Sequence, residues 1–350
     1  MFIDIVKVFI PTIVSFSIGI LIAPVLSEYL IDLKMWKKSS VAKTMDGKEA
    51  TITASLHNDG ERKTPRMGGI VVWGSVLLTT LLFWTASYFF PNTAAGKLDF
   101  LSRNQTWLPL FTLIAGAICG AFDDYLVCRD RGTYSGGGLS AKTRLFFVFL
   151  LGLFGAWWFY FKLGVSSIYI PFFGNLALGW LFIPIFVLFI IGMYSGGIID
   201  GVDGLSGGVF AIIYSAYAII AYTQGQIDLA AYASVVAGAL LAFLWYNIPP
   251  ALFFASETGT MALTTSLVVL AFLTNSVAVL LIIAFLPIVT AASSLIQIAS
   301  KKFRGKKVFI VAPLHNHFQA MGWSGAKVTM RYWILGVIFA ILGLVINFLG

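Results

Sequence analysis

Apolar runs about as long as a bilayer is thick recur along the whole 350-residue chain. A helix crossing the hydrocarbon needs ~20 predominantly apolar residues. Ten segments meet that ruler: 5–26, 67–90, 106–122, 145–163, 178–199, 207–222, 229–246, 261–274, 277–298 and 332–349. Only Thr274, Asn275 and Ser276 separate the eighth from the ninth. Charged residues make up 11% of the chain, against about 25% in soluble domains, too few to cover a water-soluble body of this size. A disordered chain would need low hydrophobicity and high charge, and a disulfide-stapled domain more than two cysteines. The net charge of +8 does not point to nucleic acid, because no exposed surface is rich enough to bind it. The N-terminal run is too long for a secretory signal, and Asp4 precedes its first lysine. The expected fold is therefore all-α: one polytopic membrane domain over 1–350 with about ten transmembrane helices.

The positive charges set the orientation. With the N-terminus outside, the inward loops are 27–66, 123–144, 200–206, 247–260 and 299–331, and they hold 19 of the 23 Lys and Arg residues. Lys7, Lys97, Arg103 and Lys162 remain outside. Cytoplasmic loops carry the excess of Lys and Arg, so the chain is expected to be N-out and C-out. Cys119 falls in the third span and Cys128 in an inward loop, and both are expected to be inert. Gly116 and Gly120 in the third span form a small-xxx-small pair that lets helices approach closely.

Of fifteen acids, five sit at the ends of long apolar segments. Asp123 and Asp124 close the third span in GAICGAFDDYL, Asp200 and Asp203 follow the fifth in MYSGGIIDGVDGLSGG, and Glu257 precedes the eighth in YNIPPALFFASETGT. All five fall on the inward side. An acid near membrane depth costs about 2.5–3.5 kcal/mol at a helix centre and is tolerated beside a water-filled cavity or a cation. Asp123 and Asp124 are adjacent, and Asp200 and Asp203 share a face if the helix continues there. Such repulsion calls for a compensating cation, and hard oxygen ligands favour Mg²⁺ or Mn²⁺. Lys142 and Arg144 in GGGLSAKTRL, Arg62, Lys63 and Arg66 in ERKTPRMGG, and His315 and His317 in APLHNHF lie in the same inward loops. Acids holding a divalent ion beside basic, Gly-rich loops suit phosphate transfer. Taken singly, each of these residues also has an ordinary reading, as a solvated helix end, a topology-setting cation or a turn.

From about Lys63 to the C-terminus the chain resembles the polyprenyl-phosphate phospho-N-acetylhexosamine transferases, and most closely their phospho-N-acetylmuramoyl-pentapeptide transferase branch. The most specific stretch is SLIQIASKKFRGKKVFIVAPLHNHFQAMGWSGAKVTMRYW; TPRMGG, FDDY, GLSAKTRL, DGVDGL and NIPPALFFASETGT match family motifs less specifically. The resemblance implies a ten-helix enzyme of the bacterial cytoplasmic membrane with its site in a cleft facing the cytoplasm. Its expected reaction moves phospho-N-acetylmuramoyl-pentapeptide from UDP-MurNAc-pentapeptide to undecaprenyl phosphate, releases UMP and needs Mg²⁺. Carried over by position, Asp123 would orient or deprotonate the lipid phosphate or attack as a nucleophile. Asp124 would help hold the metal, with Asp123 beside it and Glu257 at the third catalytic acid. Asp200 and Asp203 fall in a nucleoside-contacting segment, and Phe254 where an aromatic stacks on uracil, with Asn247 and Gln297 nearby. Lys142 takes a phosphate-facing position with Arg66 as a further substrate contact, and His315 and His317 occupy a catalytic His-rich loop. A homodimer is a further expectation.

The chain departs from the family pattern at several positions. Asn316 replaces the middle of three histidines, and Ser256-Glu257 stands for a Gly-Asp pair. Val127, Gly197 and Glu61 replace a basic residue, an Asn and a Lys. Two other readings stay open. One is a sister enzyme using UDP-GlcNAc or a related donor, which the Pro65-Arg66 pair favours. The other is a transporter, which would place polar residues and broken helices near the midplane in two related halves; here the acids sit at helix ends and no half-to-half similarity is seen.

Overall fold

The computed structural model describes residues 2–37, 63–102, 106–132 and 137–350. Glu61, Arg62 and Arg103, with most of loop 27–66 and part of loop 123–144, lie outside the described residues. The helices are α1 (Phe2–Asp32), α2 (Gly69–Phe89), α3 (Trp107–Cys128), α4 (Ala141–Trp157, continued as a wider turn to Lys162), α5 (Phe182–Gly196) and α6 (Leu205–Thr223). They continue as α7 (Ile227–Asn247), α8 (Ser256–Leu273), α9 (Val277–Ile283), α10 (Phe285–Arg304), α11 (Leu314–Ala320) and α12 (Gly325–Leu349). One antiparallel hairpin, β1 (Ser167–Ile170) with β2 (Gly174–Ala177), joins α4 to α5.

Among the described residues, nine helices are long and apolar enough to span a membrane, and α9 and α10 reach that length and hydropathy only as a pair, bent by 76° at their junction. Each matches one of the ten apolar segments, so the expected all-α polytopic fold is the fold observed. The differences lie at the ends. α3 runs on to Cys128, which puts Asp123 and Asp124 inside the helix rather than at its close. α8 begins at Ser256, so Glu257 belongs to its first turn. The fifth helix does not continue through Asp200 and Asp203: Gly196 and Gly197 lead into a short 3₁₀ turn ending at Ile199, and Gly204 takes φ +75°. The two aspartates therefore share a loop and not a helix face. The hairpin and α11 carry too weak an apolar period to stand out among long hydrophobic runs.

α8 is the centre of the bundle: 89% of its most apolar window is buried, against 22% for α1 and for α12 at the rim. Small residues let its neighbours reach it. A Cβ on Gly120 of α3 would lie 2.1 Å from the Glu257 carbonyl oxygen, and one on Gly69 of α2 would lie 2.3 Å from the Gly259 nitrogen. With no water at this depth, hydroxyls bond across helices. Thr265 donates to the Thr112 carbonyl (3.1 Å), Tyr214 to the Leu263 carbonyl (2.8 Å), and Tyr232 to the Pro109 carbonyl (3.0 Å). The Gly120 contact is one turn from Asp123 and Asp124, so helix packing itself brings these acids to the first turn of α8.

Gly120→Val should push α8 off α3. Overpacking of this kind costs about 1–3 kcal/mol, and its mark would be a thermal unfolding midpoint several degrees below that of the unmodified chain in detergent. An unchanged midpoint would show that the helices adjust freely there.

Candidate active site

Four local structures converge on the start of α8. The first is the TPRMGG segment. Phe254 donates its N–H to the Pro65 carbonyl (2.9 Å), while Gly68 and Gly69 donate to the carbonyls of Phe254 (2.8 Å) and Ala255 (3.2 Å). This pairing aims Arg66 at Asp124. The Asp124 Oδ1 accepts from Arg66 Nε at 3.1 Å and Nη2 at 2.9 Å, and its Oδ2 accepts from the Thr258 N–H at 2.8 Å and hydroxyl at 2.6 Å. Four donors thus surround a carboxylate that is fully buried.

GLSAKTRL builds the second. Leu139 donates its N–H to Asp123 Oδ1 at 2.6 Å, and Ser140 caps α4 by accepting from the Thr143 N–H at 3.1 Å. The cap starts the helix so that Arg144, one turn in, faces two acids. Its Nη1 lies 3.7 Å from Asp123 Oδ2 and donates to Glu257 Oε1. Glu257 Oε2 accepts the Tyr194 hydroxyl at 3.2 Å. The Arg144 and Glu257 side chains keep 24% and 19% of their exposure, against none for Asp124. The Arg66 side chain keeps 24% as well, so the cluster is open at its two arginines and at Glu257.

DGVDGL forms the third. Asp200 accepts from the Ser206 hydroxyl (2.5 Å) and the Ser256 N–H (2.7 Å), and Asp203 accepts from the Ala251 N–H (3.1 Å). Burial pushes the Asp200 carboxyl above its usual range, against the pull of its bonds from Ser206 and Ser256. Asn247 links the two sides by accepting from the Gly204 N–H (3.0 Å) and donating to the Phe253 carbonyl (2.7 Å). Thr329 and Trp333 of α12 donate to the carbonyls of Asp203 (2.9 Å) and Gly204 (3.1 Å).

The fourth is the His-containing segment. His315 is 1% exposed and packs against Gly201, where a Cβ would lie 2.5 Å from its Nε2. His317 Nδ1 accepts from the Ile310 N–H (3.2 Å). Gln297 donates to the Phe309 carbonyl (2.8 Å) and accepts from the N–H groups of Val308 and Phe309, both at 3.0 Å.

Comparison with known proteins gives the family. A family model described as glycosyl transferase family 4 matches residues 106–275, the stretch from α3 through α8. The chain is 32% identical over 342 residues to a phospho-N-acetylmuramoyl-pentapeptide-transferase of Anoxybacillus flavithermus, covering 95% of each protein. The proteins of that name from Geobacillus sp. and Pelagibacter ubique are also 32% identical, over 96% and 80% of this chain and 96% and 79% of their own length. The chain belongs to the phospho-N-acetylmuramoyl-pentapeptide transferase family. It is a membrane-embedded transferase, and a divergent one at this level of identity.

Among the residues the resemblance singled out in this transferase, Asp123, Asp124, Glu257 and Arg66 form one connected group. Asp200, Asp203, Asn247 and Phe254 line the adjoining loops, where the three polar side chains hold backbone groups and Phe254 is half-buried. Gln297 and His317 shape the 305–313 segment, and Lys142 is exposed in the first turn of α4. Three participants were outside the expected set. Arg144 was noted among the basic residues of the inward loops, in GLSAKTRL, but was given no role of its own. Thr258 is one more hydroxyl in an apolar helix, and Tyr194 an aromatic in an apolar run. A tyrosine hydroxyl at membrane depth needs a partner, the one signal that pointed to Tyr194.

The donor set bears on Mg²⁺. That ion takes hard oxygens, keeps several waters and is held through one or two carboxylates plus substrate phosphates. Asp123 Oδ2, 3.7 Å from the Arg144 guanidinium, and the Glu257 carboxylate, bonded by Arg144 and Tyr194, fit it as ligands. Asp124 has all four of its in-plane acceptor positions engaged and fits as the anchor behind them. Among the described residues, no three His, Cys, Asp or Glu side chains converge as a ready-made cage.

Asp124→Asn turns one acceptor oxygen into a donor that faces Arg66 or Thr258. Removing one partner of a buried pair costs about 3–5 kcal/mol, so the unfolding midpoint should fall by several degrees. Asp123→Asn, which keeps the Leu139 bond through its carbonyl oxygen, should leave the midpoint unchanged. Equal midpoints for the two variants in scanning fluorimetry would contradict this division.

Proposed function

We propose that this chain transfers phospho-N-acetylmuramoyl-pentapeptide from its UDP-linked donor to undecaprenyl phosphate, giving the lipid-linked phosphosugar and UMP. The observation that supports this reading is the acid group Asp123, Asp124 and Glu257, held by Arg66 and Arg144 at the first turn of the most buried helix. Its residues belong to the TPRMGG, FDDY, GLSAKTRL and NIPPALFFASETGT motifs, which supports reading it as a phosphosugar-transfer site. In the reaction an oxygen of the acceptor phosphate bonds to the sugar-bearing phosphorus of the donor, and the bond from that phosphorus to UMP breaks. UMP leaves with the electron pair. Phosphoryl transfer needs positioning and charge neutralisation more than covalent work by the protein, and the residues present suit that division.

Asp123 has one oxygen fixed by Leu139 and the other turned to Arg144, so it orients the acceptor phosphate and takes its proton where one is bound. Arg144, on the open side, has the reach to neutralise the donor pyrophosphate, with Lys142 at the entrance. Arg66 holds Asp124, which holds the first turn of α8 and hence Glu257. Phe254 offers an aromatic face for the uracil ring beside the Asp200–Asp203 loop. His315 and His317 border the cleft on the α11 side. Mg²⁺ bound at Asp123 and Glu257 would supply charge neutralisation at the pyrophosphate.

The acid-bearing ends of α3, α5 and α8 belong to the cytoplasmic side in this reading, with both termini outside and the protein in the bacterial cytoplasmic membrane. The support is the charge distribution, in which the loops at the acid-bearing end carry most Lys and Arg.

Purified protein supplied with Mg²⁺, undecaprenyl phosphate and UDP-MurNAc-pentapeptide should release UMP, and Asp123→Asn should abolish release at unchanged stability. Turnover of UDP-GlcNAc with no UMP from the pentapeptide donor would replace this reading by the sister-enzyme one. For the orientation, single cysteines at Lys306 and Lys97 on a Cys119→Ala, Cys128→Ala background give a direct readout. A membrane-impermeant thiol reagent should label position 97 in intact spheroplasts and position 306 only in inverted vesicles; the reverse pattern would overturn it.

A further inference from the structure

α10 follows α9 after a sharp bend. Its first residue, Phe285, stacks on Phe339 of α12 at 4.2 Å between ring centroids, and Pro287 packs against Gly196 of α5. The bend between the two helices is 76°. One face is buried through Leu286, Pro287, Thr290, Ala291, Ser293, Gln297 and Ser300. Leu295, Ile296 and Ile298 are exposed. The chain then folds back, with the Ser300 hydroxyl donating to the Lys306 carbonyl (2.9 Å) and Gln297 holding Val308 and Phe309. This hairpin-like end presents Lys302, Arg304, Lys306 and Lys307 to the exterior together with apolar side chains. Phe303 is 80% exposed, Val308 49% and Ile310 45%. Lys302 Nζ lies 5.6 Å from the Phe303 ring centre. No Asp or Glu occurs anywhere between residues 258 and 350.

A solvated cationic helix end does not expose a phenylalanine, a valine and an isoleucine among its charges. A surface meant for the headgroup layer does, because apolar side chains enter the acyl boundary while cations meet lipid phosphates. Topology alone explains an excess of Lys and Arg, but not their ordered mixture with apolar groups on a folded-back segment. We propose that the end of α10 and residues 305–310 form a docking surface for anionic phospholipid headgroups, which pins α10 at the membrane surface beside the catalytic cleft. The four cations, in a stretch from 258 to 350 that holds no Asp or Glu, match an anionic headgroup layer in charge. Phe303, Val308 and Ile310 match its depth. This proposal concerns the bilayer and not the UDP-linked donor, and it stands whichever sugar the enzyme transfers.

The test uses the full-length chain in phosphatidylcholine vesicles containing a small fraction of spin-labelled phosphatidylglycerol or spin-labelled phosphatidylcholine. The motionally restricted fraction gives the relative association of each lipid. The unmodified protein should prefer phosphatidylglycerol by about fivefold, and raising salt to ~1 M, where the Debye length is about 3 Å, should remove most of that preference. K302Q/R304Q/K306Q/K307Q should bring the ratio close to one at an unchanged unfolding midpoint, with the loop pair K306Q/K307Q intermediate. K97Q/K162Q, at the opposite end of the bundle, should leave it as it was. No preference in the unmodified protein, or a preference kept by the fourfold variant, overturns the proposal. So does a fourfold variant that keeps its lipid preference and loses affinity for UDP-MurNAc-pentapeptide, since the surface would then serve the substrate.

Discussion

The carboxylate of Asp124 is the interaction on which the site depends. It is buried without any exposure and accepts from two nitrogens of Arg66 and from both the N–H and the hydroxyl of Thr258. An acid in that place would be costly on its own, and the four bonds offset the cost by turning desolvation into geometry. Through Arg66 the clasp reaches the TPRMGG segment, and through Thr258 it reaches the first turn of α8. Asp123 is carried on the same helix turn and Glu257 on the residue before Thr258, so neither can drift relative to the other. A positioning device of this kind is what phosphoryl transfer asks of a protein.

Around that clasp the loops behave as fitted parts. Asp200 fixes the Ser256 N–H, Asp203 the Ala251 N–H, and Asn247 joins the two segments. Each spends a side chain that resembles a ligand on an orphaned backbone group. Buried backbone donors at membrane depth have no water to turn to, and short acidic and amide side chains are the compact way to satisfy them. A motif residue near a site can therefore be indispensable without touching substrate. Arg144 is the opposite case: a residue that charge counting assigns to topology stands between two acids on the open side of the cluster.

Much of the fold was legible because its signal is simple. Each of the ten apolar segments appears among the described residues as helix, nine as single spans and one as the bent pair α9 and α10, since a lipid-facing helix must be apolar along its whole length. Helix ends were less legible. α3 runs beyond Asp123 and Asp124, and α8 starts before Glu257, because paired or capped carboxylates tolerate a helical position that hydropathy alone rejects. The family motifs located Asp123, Asp124, Glu257 and Arg66, whereas Thr258 carried no mark of its own and Tyr194 only that of a hydroxyl in an apolar run. A hydroxyl in an apolar helix reads the same whether it bonds its own turn, as Ser75 does, or clasps a distant acid, as Thr258 does.

The sequence by itself determined the all-α membrane architecture, the placing of five acids at the ends of apolar segments, and the resemblance to a transferase family. These follow from counts and spacings, which hydropathy and charge express locally along the chain. Tertiary structure decided which acid is an anchor and which is open, that Arg144 rather than Lys142 faces the acids, and that α10 bends away to expose a basic and apolar end. Those outcomes depend on glycine-mediated helix approaches, such as Gly120 against Glu257, and on pairings between residues more than a hundred positions apart. No local pattern encodes a contact that exists only once the helices have packed.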